Sequence, residues 1–240
     1  MGAVFDDFAK DYDAGHQKAV SASGFNINYF YEYKVKEAHR LLTKHNMEFP
    51  RSVLDFGCGV GNVDPYIRRY FPNAEIYGTD ISRESIEIAK EKNREHNISY
   101  AVFDPSLANS IPFDTAFDMI FVSCVFHHIP RSEHSKTLAL LKSRLNPGGL
   151  LFIFEHNPYN PATRLVFYKH DKLPDKNANL IYPHYLKKRM RKQGIKVLWR
   201  NFTVFFPKFL SIFIPLEKYM TGVPMGAQYY VCGKKEDIGE

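Results

Sequence analysis

The chain has 240 residues, of which 45% are hydrophobic and 24% charged, with a formal net charge of +6. This length suits one α/β domain with elaborations, and no apolar run approaches the roughly 20 residues of a membrane-spanning helix. The start of the chain has neither a secretory signal nor a myristoylation pattern, and three widely spaced cysteines indicate no disulfide framework or zinc site, which favours the cytoplasm.

An aromatic cluster precedes the first predicted strand. Its members are Phe25, Tyr29, Phe30, Tyr31 and Tyr33. Two interpretations stay open, because aromatic side chains at this density either line a ligand pocket or pack one face of a helix into the core.

A glycine-rich turn follows the first predicted strand, residues 52–56. Gly57, Gly59 and Gly61 alternate with other residues, and Asp55 stands two places before the first of them. Glycine is needed where a chain leaves a strand, turns into a helix and lets a ligand approach its backbone. A dinucleotide fingerprint would require glycine at position 62, where this chain has Asn62. The acidic Asp55 favours a cationic ligand end over a pyrophosphate.

The chain then alternates β-rich runs with helical periods, which is typical of a parallel sheet covered by helices. Further strands are predicted over residues 74–79, 98–103, 118–123, 150–154, 195–206 and 228–233. Helices are predicted over residues 63–70 and 182–193, after the N-cap Ser82, and along the stripe of Leu138, Leu141 and Leu145. Residues 146–149 give a strong turn signal.

The Asp55 to Gly61 pattern resembles motif I of the class I S-adenosylmethionine-dependent methyltransferases. Residues 117–130 resemble the fourth-strand motif of the small-molecule members of that class. The resemblance implies a doubly wound, seven-stranded, mostly parallel α/β sheet in the order 3-2-1-4-5-7-6, with the last strand antiparallel. It also implies one domain with an N-terminal helical lid (residues 1–48), a cofactor core (49–156) and a substrate region with a closing strand pair (157–240).

The cofactor is then expected at the carboxyl ends of the strands. Asp80, about 20 residues beyond the glycine turn, is placed to accept hydrogen bonds from ribose hydroxyls. The resemblance implies that Asp104 accepts from the adenine amino group, with Ile81 or Phe103 against the base. Asp104 also precedes Pro105, so the alternative is a residue that starts a turn.

The remaining cofactor contacts are implied by the same resemblance. Cys58 belongs to the glycine turn, and the backbone at Ser123 and Cys124 is expected to approach the methionine part of S-adenosylmethionine. Cys124 itself is expected to be a packing thiol. Tyr12 is the expected contact from the lid.

Methyl transfer from a sulfonium needs alignment rather than a metal, and a general base helps when the acceptor is a hydroxyl. His127 and His156 follow the fourth and fifth strands, and the pKa of histidine lies near neutrality. They are the candidate bases, with Glu155 as a competitor. The alternative is that these side chains are hydrogen-bonded structural groups.

Two segments late in the chain are unusual. Residues 181–210 contain eight lysines and arginines and no acid, which suits a phosphorylated substrate, nucleic acid or an anionic membrane, or a solvated helix face. Residues 202–215 are very apolar. Internal packing is the favoured interpretation there, with an acceptor pocket, a dimer surface and a peripheral membrane contact as alternatives.

The favoured function is transfer of a methyl group to an oxygen or nitrogen of a small-molecule acceptor, such as an anionic or sugar-containing metabolite. A nucleic-acid methyltransferase is the second hypothesis. Against it, the Asn/Asp-Pro-Pro-aromatic signature is absent after strand four, where His127 and His128 stand. The third hypothesis is a non-catalytic, cofactor-binding or membrane-associated protein.

Overall fold

A computed structural model describes residue 6, residue 17 and residues 20–107, 111–169 and 179–236. Tyr12 lies outside these residues, so its lid contact stays a prediction. The sheet has seven strands in the predicted order β3-β2-β1-β4-β5-β7-β6, and β7 runs antiparallel to β5 and β6. The strands are β1 Ser52–Phe56, β2 Glu75–Asp80, β3 Ile98–Val102, β4 Phe117–Ser123, β5 Leu145–His156, β6 Ile195–Thr203 and β7 Gln228–Lys235.

The described ranges contain seven α-helices. They are α1 Ile27–Lys44, α2 Asp64–Tyr70, α3 Arg83–Lys92, α4 His134–Ser143, α5 Pro161–Lys169, α6 Pro183–Lys192 and the short α7 Glu217–Met220. Three 3-10 helices lie at Ser21–Ser23, Phe126–His128 and Lys208–Leu216. Among the helices of the described residues, none is long and apolar enough to cross a membrane.

The core consists of two apolar layers. Successive residues of β4 enter different layers: Met119 and Phe121 join side chains of α1 and α2, whereas Ile120 and Val122 join side chains of α4 and α6. This alternation follows from the two-residue period of a strand. Because both faces are covered, the central strands are buried on both sides, as parallel strands between helices must be.

Two local predictions were wrong in detail. Leu145 belongs to β5 rather than to the preceding helix, and the turn signal at residues 146–149 is an irregularity inside this strand, where pairing with β4 shifts register. Gly148 there has φ +76°, and a Cβ on Gly149 would lie 2.9 Å from two backbone oxygens. The glycines therefore form a bulge within β5.

The end of β6 also differs from the prediction. The strand stops at Thr203, and Val204 has φ +61°, which turns the chain away from the sheet. Phe202 and Val204 are buried, but no residue of the following Lys208–Leu216 helix is. Internal packing was therefore the wrong interpretation for most of residues 202–215.

Candidate active site

The carboxyl ends of β1, β2 and β4 border a cavity of about 570 Å³, here called the glycine-loop cavity. Parallel strands bring the residues that follow them to one edge of the sheet, where ligands of such sheets bind. Seven of the predicted cofactor contacts line it: Gly57, Gly59, Asp80, Ile81, Phe103, Ser123 and Cys124.

The three glycines of the loop are all in the left-handed region, with φ of +76°, +55° and +73°. A Cβ on Gly57 would lie 2.5 Å from Val125, and one on Gly61 would lie 2.4 Å from Asn93. A Cβ on Gly59 would meet nothing within 4 Å. Gly57 and Gly61 are thus required by packing, whereas Gly59 leaves its backbone open to a ligand in the cavity.

Asp80 joins the glycine loop to α3. One carboxylate oxygen accepts from the Gly59 amide at 2.9 Å, and the other accepts from the Ser82 amide at 2.9 Å. Burial raises the pKa of Asp80, and these amides act in the opposite direction because they stabilise the charged form. Asp80 therefore fixes the loop while its side chain faces the cavity.

Asp55 is 1% exposed and lies under the loop rather than on the cavity wall. Within the described residues, the group that its carboxyl oxygens approach is the neighbouring Asp64 carboxyl, which is close enough to share a proton with Asp55. Burial, together with the neighbouring Asp64 carboxyl, raises the pKa of Asp55 well above its usual value, and Lys34 acts against this rise. A cationic ligand end near the loop would stabilise the charged form of this buried carboxyl.

Asp104 is fully exposed in a turn after β3. It accepts from the amide of Ser106 at 2.9 Å and from its hydroxyl at 2.6 Å, and these bonds lower the pKa of Asp104. This geometry matches the turn-forming alternative, and an adenine contact stays a prediction. Cys58 is buried, with its thiol 3.6 Å from the Gly59 carbonyl oxygen.

A second cavity of about 410 Å³, here called the histidine cavity, shares a wall with the first. Ser123, Cys124 and His128 line both cavities. His127 and His156 line the second one, together with mostly apolar side chains from α1, α5 and the chain after β6. Phe30 and Tyr31 of the aromatic cluster belong both to this wall and to the buried residues, so each interpretation of that cluster holds in part.

Lys34 lies at the junction of the two cavities. It is 4% exposed, and its Nζ donates to Ser123 Oγ at 2.7 Å and lies 3.5 Å from Cys124 Sγ. The sequence interpretation missed this lysine. The available signal was its position among Phe30, Tyr31 and Ala38, where helical spacing places one cation on an apolar face.

Cys124 lines both cavities, and its predicted role as a packing thiol stays a prediction. Burial alone would raise the pKa of its thiol, but Lys34 and His156 outweigh burial and bring the pKa to about 6. Its φ of +59° is unusual for a residue with a side chain. The Lys34 ammonium beside the sulfur therefore favours the thiolate form of Cys124.

Iodoacetamide is expected to alkylate Cys124 selectively, with a rate that rises through pH about 6 rather than about 8.5, because the thiolate is the nucleophile. Cys58 and Cys232 are buried with raised thiol pKa values and should stay unlabelled. Peptide mass spectrometry across a pH series measures the midpoint. Lys34→Met should move it upward, and a wild-type midpoint at pH 8 or above contradicts the arrangement.

Glu155 and His127 form a buried pair beside the histidine cavity. One Glu155 oxygen accepts from the Phe126 amide at 2.8 Å, and the other lies 2.6 Å from His127 Nδ1. Burial would raise the pKa of Glu155, but His127 outweighs it and the pKa is below its usual value. A carboxylate at Nδ1 favours the tautomer whose other nitrogen, Nε2, can take up a proton.

His156 lies near this pair without sharing its carboxylate. Its ring centroid is 5.4 Å from that of His127 and 4.8 Å from that of Phe167. Of the three predicted catalytic residues, the structure thus brings His127 and His156 to the cavity and holds Glu155 behind His127.

Residues 53–149 match the family model described as "Methyltransferase domain". This match, the strand order and the left-handed glycine loop support the class I S-adenosylmethionine-dependent methyltransferases, the family that the sequence resembles. S-adenosylmethionine is the cofactor of that family. The sequence-based identification of class, fold and cofactor is confirmed.

Two curated relatives are similar over parts of the chain. Malonyl-[acyl-carrier protein] O-methyltransferase of Halalkalibacterium halodurans is 27% identical over 207 residues, which cover 81% of this chain and 74% of the relative. Trans-aconitate 2-methyltransferase of Methylobacterium radiotolerans is 33% identical over 138 residues, which cover 57% of this chain and 50% of the relative. The chain thus matches about half the length of the second relative.

Solved structures share the fold. Magnesium protoporphyrin IX methyltransferase from Synechocystis PCC 6803, with bound SAH, has a TM-score of 0.66 at 15% identity, over 98% of this chain and 99% of the other. A TehB-like methyltransferase from Corynebacterium glutamicum has a TM-score of 0.62 at 16% identity, over 96% and 99% of the two chains. Identities this low support the architecture alone.

Proposed function

We propose that the protein transfers the methyl group of S-adenosylmethionine to an oxygen or nitrogen of a small molecule held in the histidine cavity. The observation that carries this proposal is the shared wall at Ser123 and Cys124, since it separates a cofactor site from a second cavity by a single layer of residues. One curated relative is named an O-methyltransferase of malonyl-[acyl-carrier protein] and the other a methyltransferase of trans-aconitate; both of these molecules carry carboxyl groups, which supports an oxygen acceptor.

The residues of the glycine-loop cavity fit the cofactor. Gly59 offers an open backbone face, and Asp80 offers a carboxylate at the end of β2. S-adenosylmethionine supplies a methyl group activated by the positive charge on sulfur. The chain's own task is then to orient the acceptor and to exclude water.

His127 is the proposed base for a hydroxyl acceptor. It would take the proton at Nε2, and Glu155 at Nδ1 would stabilise the imidazolium that forms. A carboxylate acceptor loses no proton, and for it the Lys34 ammonium at the junction would supply the orienting charge instead. A hydroxyl acceptor therefore needs His127 as a base, whereas a carboxylate acceptor does not.

Methyl-deuterated S-adenosylmethionine provides the test. The protein is incubated with a microbial extract of metabolites and lipids, with total tRNA and with genomic DNA, and the label is located by mass spectrometry. Label in a compound of the extract, lost with Asp80→Ala, supports the proposal. Label in nucleic acid, or cofactor binding without any labelled product, overturns it.

A further inference from the structure

Residues 208–225, here called the apolar ridge, follow β6 and carry large apolar side chains into solvent. Phe209 is 81% exposed, Ile212 82% and Tyr219 76%, and Met225 is 54% exposed. Isolated exposed apolar residues are common, but a run of this size on one segment marks an interaction surface.

The ridge is anchored from below. The Glu217 side chain is 5% exposed and accepts from the amides of Phe205 at 2.8 Å and Phe206 at 3.1 Å. The hydroxyl of Tyr33 on α1 lies 3.5 Å from the same carboxylate. These contacts tie the ridge to the end of β6 and to α1, so the exposed side chains stand on fixed backbone.

The ridge is continuous with the wall of the histidine cavity. Phe205, Phe206, Pro207 and Phe209 line that cavity. The ring of Phe213, which is 44% exposed, lies 5.7 Å from that of Phe206, centroid to centroid. One apolar surface therefore runs from the inside of the cavity out to the side chains that face solvent.

The charges on the ridge are positive. Lys208 and Lys218 are exposed, whereas Glu217 is the only acidic residue in 208–225 and is buried. Lys218 Nζ lies 4.9 Å from the centre of the Tyr219 ring. Exposed aliphatic side chains beside aromatic rings and lysines are typical of surfaces that insert into the headgroup region of a bilayer.

We propose that the apolar ridge docks the protein on an anionic lipid bilayer, with the histidine cavity opening toward the lipid. The acceptor is then an amphiphile whose apolar chain extends along the ridge while its polar group lies near His127. The proposed docking surface is argued from the apolar ridge alone, whereas the acceptor class rests on the proposed function. Two exposed lysines and no exposed carboxylate lie on the ridge. Such a surface attracts anionic lipid but would repel the same surface on a second copy of this chain, so lipid is the favoured partner.

Vesicle flotation tests the docking surface. The probes are vesicles of phosphatidylcholine with and without phosphatidylglycerol, and the variant is Ile212→Glu, whose side chain lines neither cavity. Wild-type protein is expected to float with the vesicles, more strongly with phosphatidylglycerol. Ile212→Glu should weaken partitioning at least about tenfold, because it replaces an exposed apolar side chain that would leave water with a charged one.

Phe49→Glu is the matched control. Phe49 is 50% exposed and precedes β1, at the opposite edge of the sheet from the cavities, so this variant should float like the wild type. The inference is overturned if wild-type protein stays unbound, if both variants lose binding equally, or if Ile212→Glu dissociates a dimer in sedimentation without changing flotation. Calorimetric titration with S-adenosylmethionine, without vesicles, tests the proposed function separately.

Discussion

Asp80→Ala is expected to raise the dissociation constant for S-adenosylmethionine about 100-fold without loss of the fold. The variant removes the acceptor of the Gly59 and Ser82 amides, and hydrogen bonds to a charged group contribute about 1.5–3 kcal/mol each. It also removes the carboxylate from the cavity wall. A loss of about 2.8 kcal/mol in binding corresponds to the 100-fold change, and calorimetric titration measures it.

Glu133→Gln is the control for this experiment. Glu133 lines the same cavity but is exposed, and its side chain caps no helix. The dissociation constant of this variant should change less than about threefold, since exposed charges are strongly screened. Equal affinities of Asp80→Ala and the wild type would remove Asp80 from the cofactor site.

His127→Ala is expected to lower kcat for a hydroxyl acceptor about 100-fold or more, with unchanged affinity for S-adenosylmethionine. General base catalysis contributes about 10²- to 10⁴-fold, and Glu155 holds His127 in the tautomer that this role needs. Glu155→Gln should lower kcat less, because the imidazole remains but its cation loses a negative partner. Turnover is followed with the acceptor that the labelling experiment identifies.

His184→Ala provides the matched control. His184 is exposed, bonds to the Tyr159 hydroxyl at 2.9 Å and lines neither cavity, so its loss should leave kcat unchanged. His156→Ala should have a smaller effect than His127→Ala, because Glu155 bonds to His127. A tenfold or smaller loss in both His127→Ala and His156→Ala would exclude a general base among them and favour a carboxylate acceptor.

The sequence predicts those features that depend on neighbours along the chain. The apolar runs of β1 and β4, the glycine loop and the position of Asp80 at a strand end are all local, and each is found in the structure. The sheet order came from the resemblance instead, because periodicity says nothing about which strands are adjacent.

Contacts between distant residues could not be predicted in this way. Lys34 meets Ser123 across 89 positions, and no local pattern links them. Glu155 reaches His127 because the register of β4 with β5 places Ser123 beside Phe154. The sequence located both residues near strand ends, but their pairing depends on that register.

Hydrophobicity also failed to separate a buried segment from an exposed one. Residues 202–215 read as core because they are rich in phenylalanine and isoleucine, yet the chain leaves the sheet at the left-handed Val204 and none of residues 208–215 is buried. A β-branched residue such as valine rarely adopts a positive φ, so the sequence showed no sign of this turn.

Four residues other than glycine have positive φ within the described ranges, and they divide by location. Asn46 and Asn97 belong to the residue type that tolerates this conformation. Cys124 and Val204 do not, and both line the histidine cavity. Each carries roughly 1–2 kcal/mol of steric cost in its backbone. Such strain persists only where the surrounding structure holds it, so the wall of the histidine cavity that these two residues share is shaped at a cost in stability.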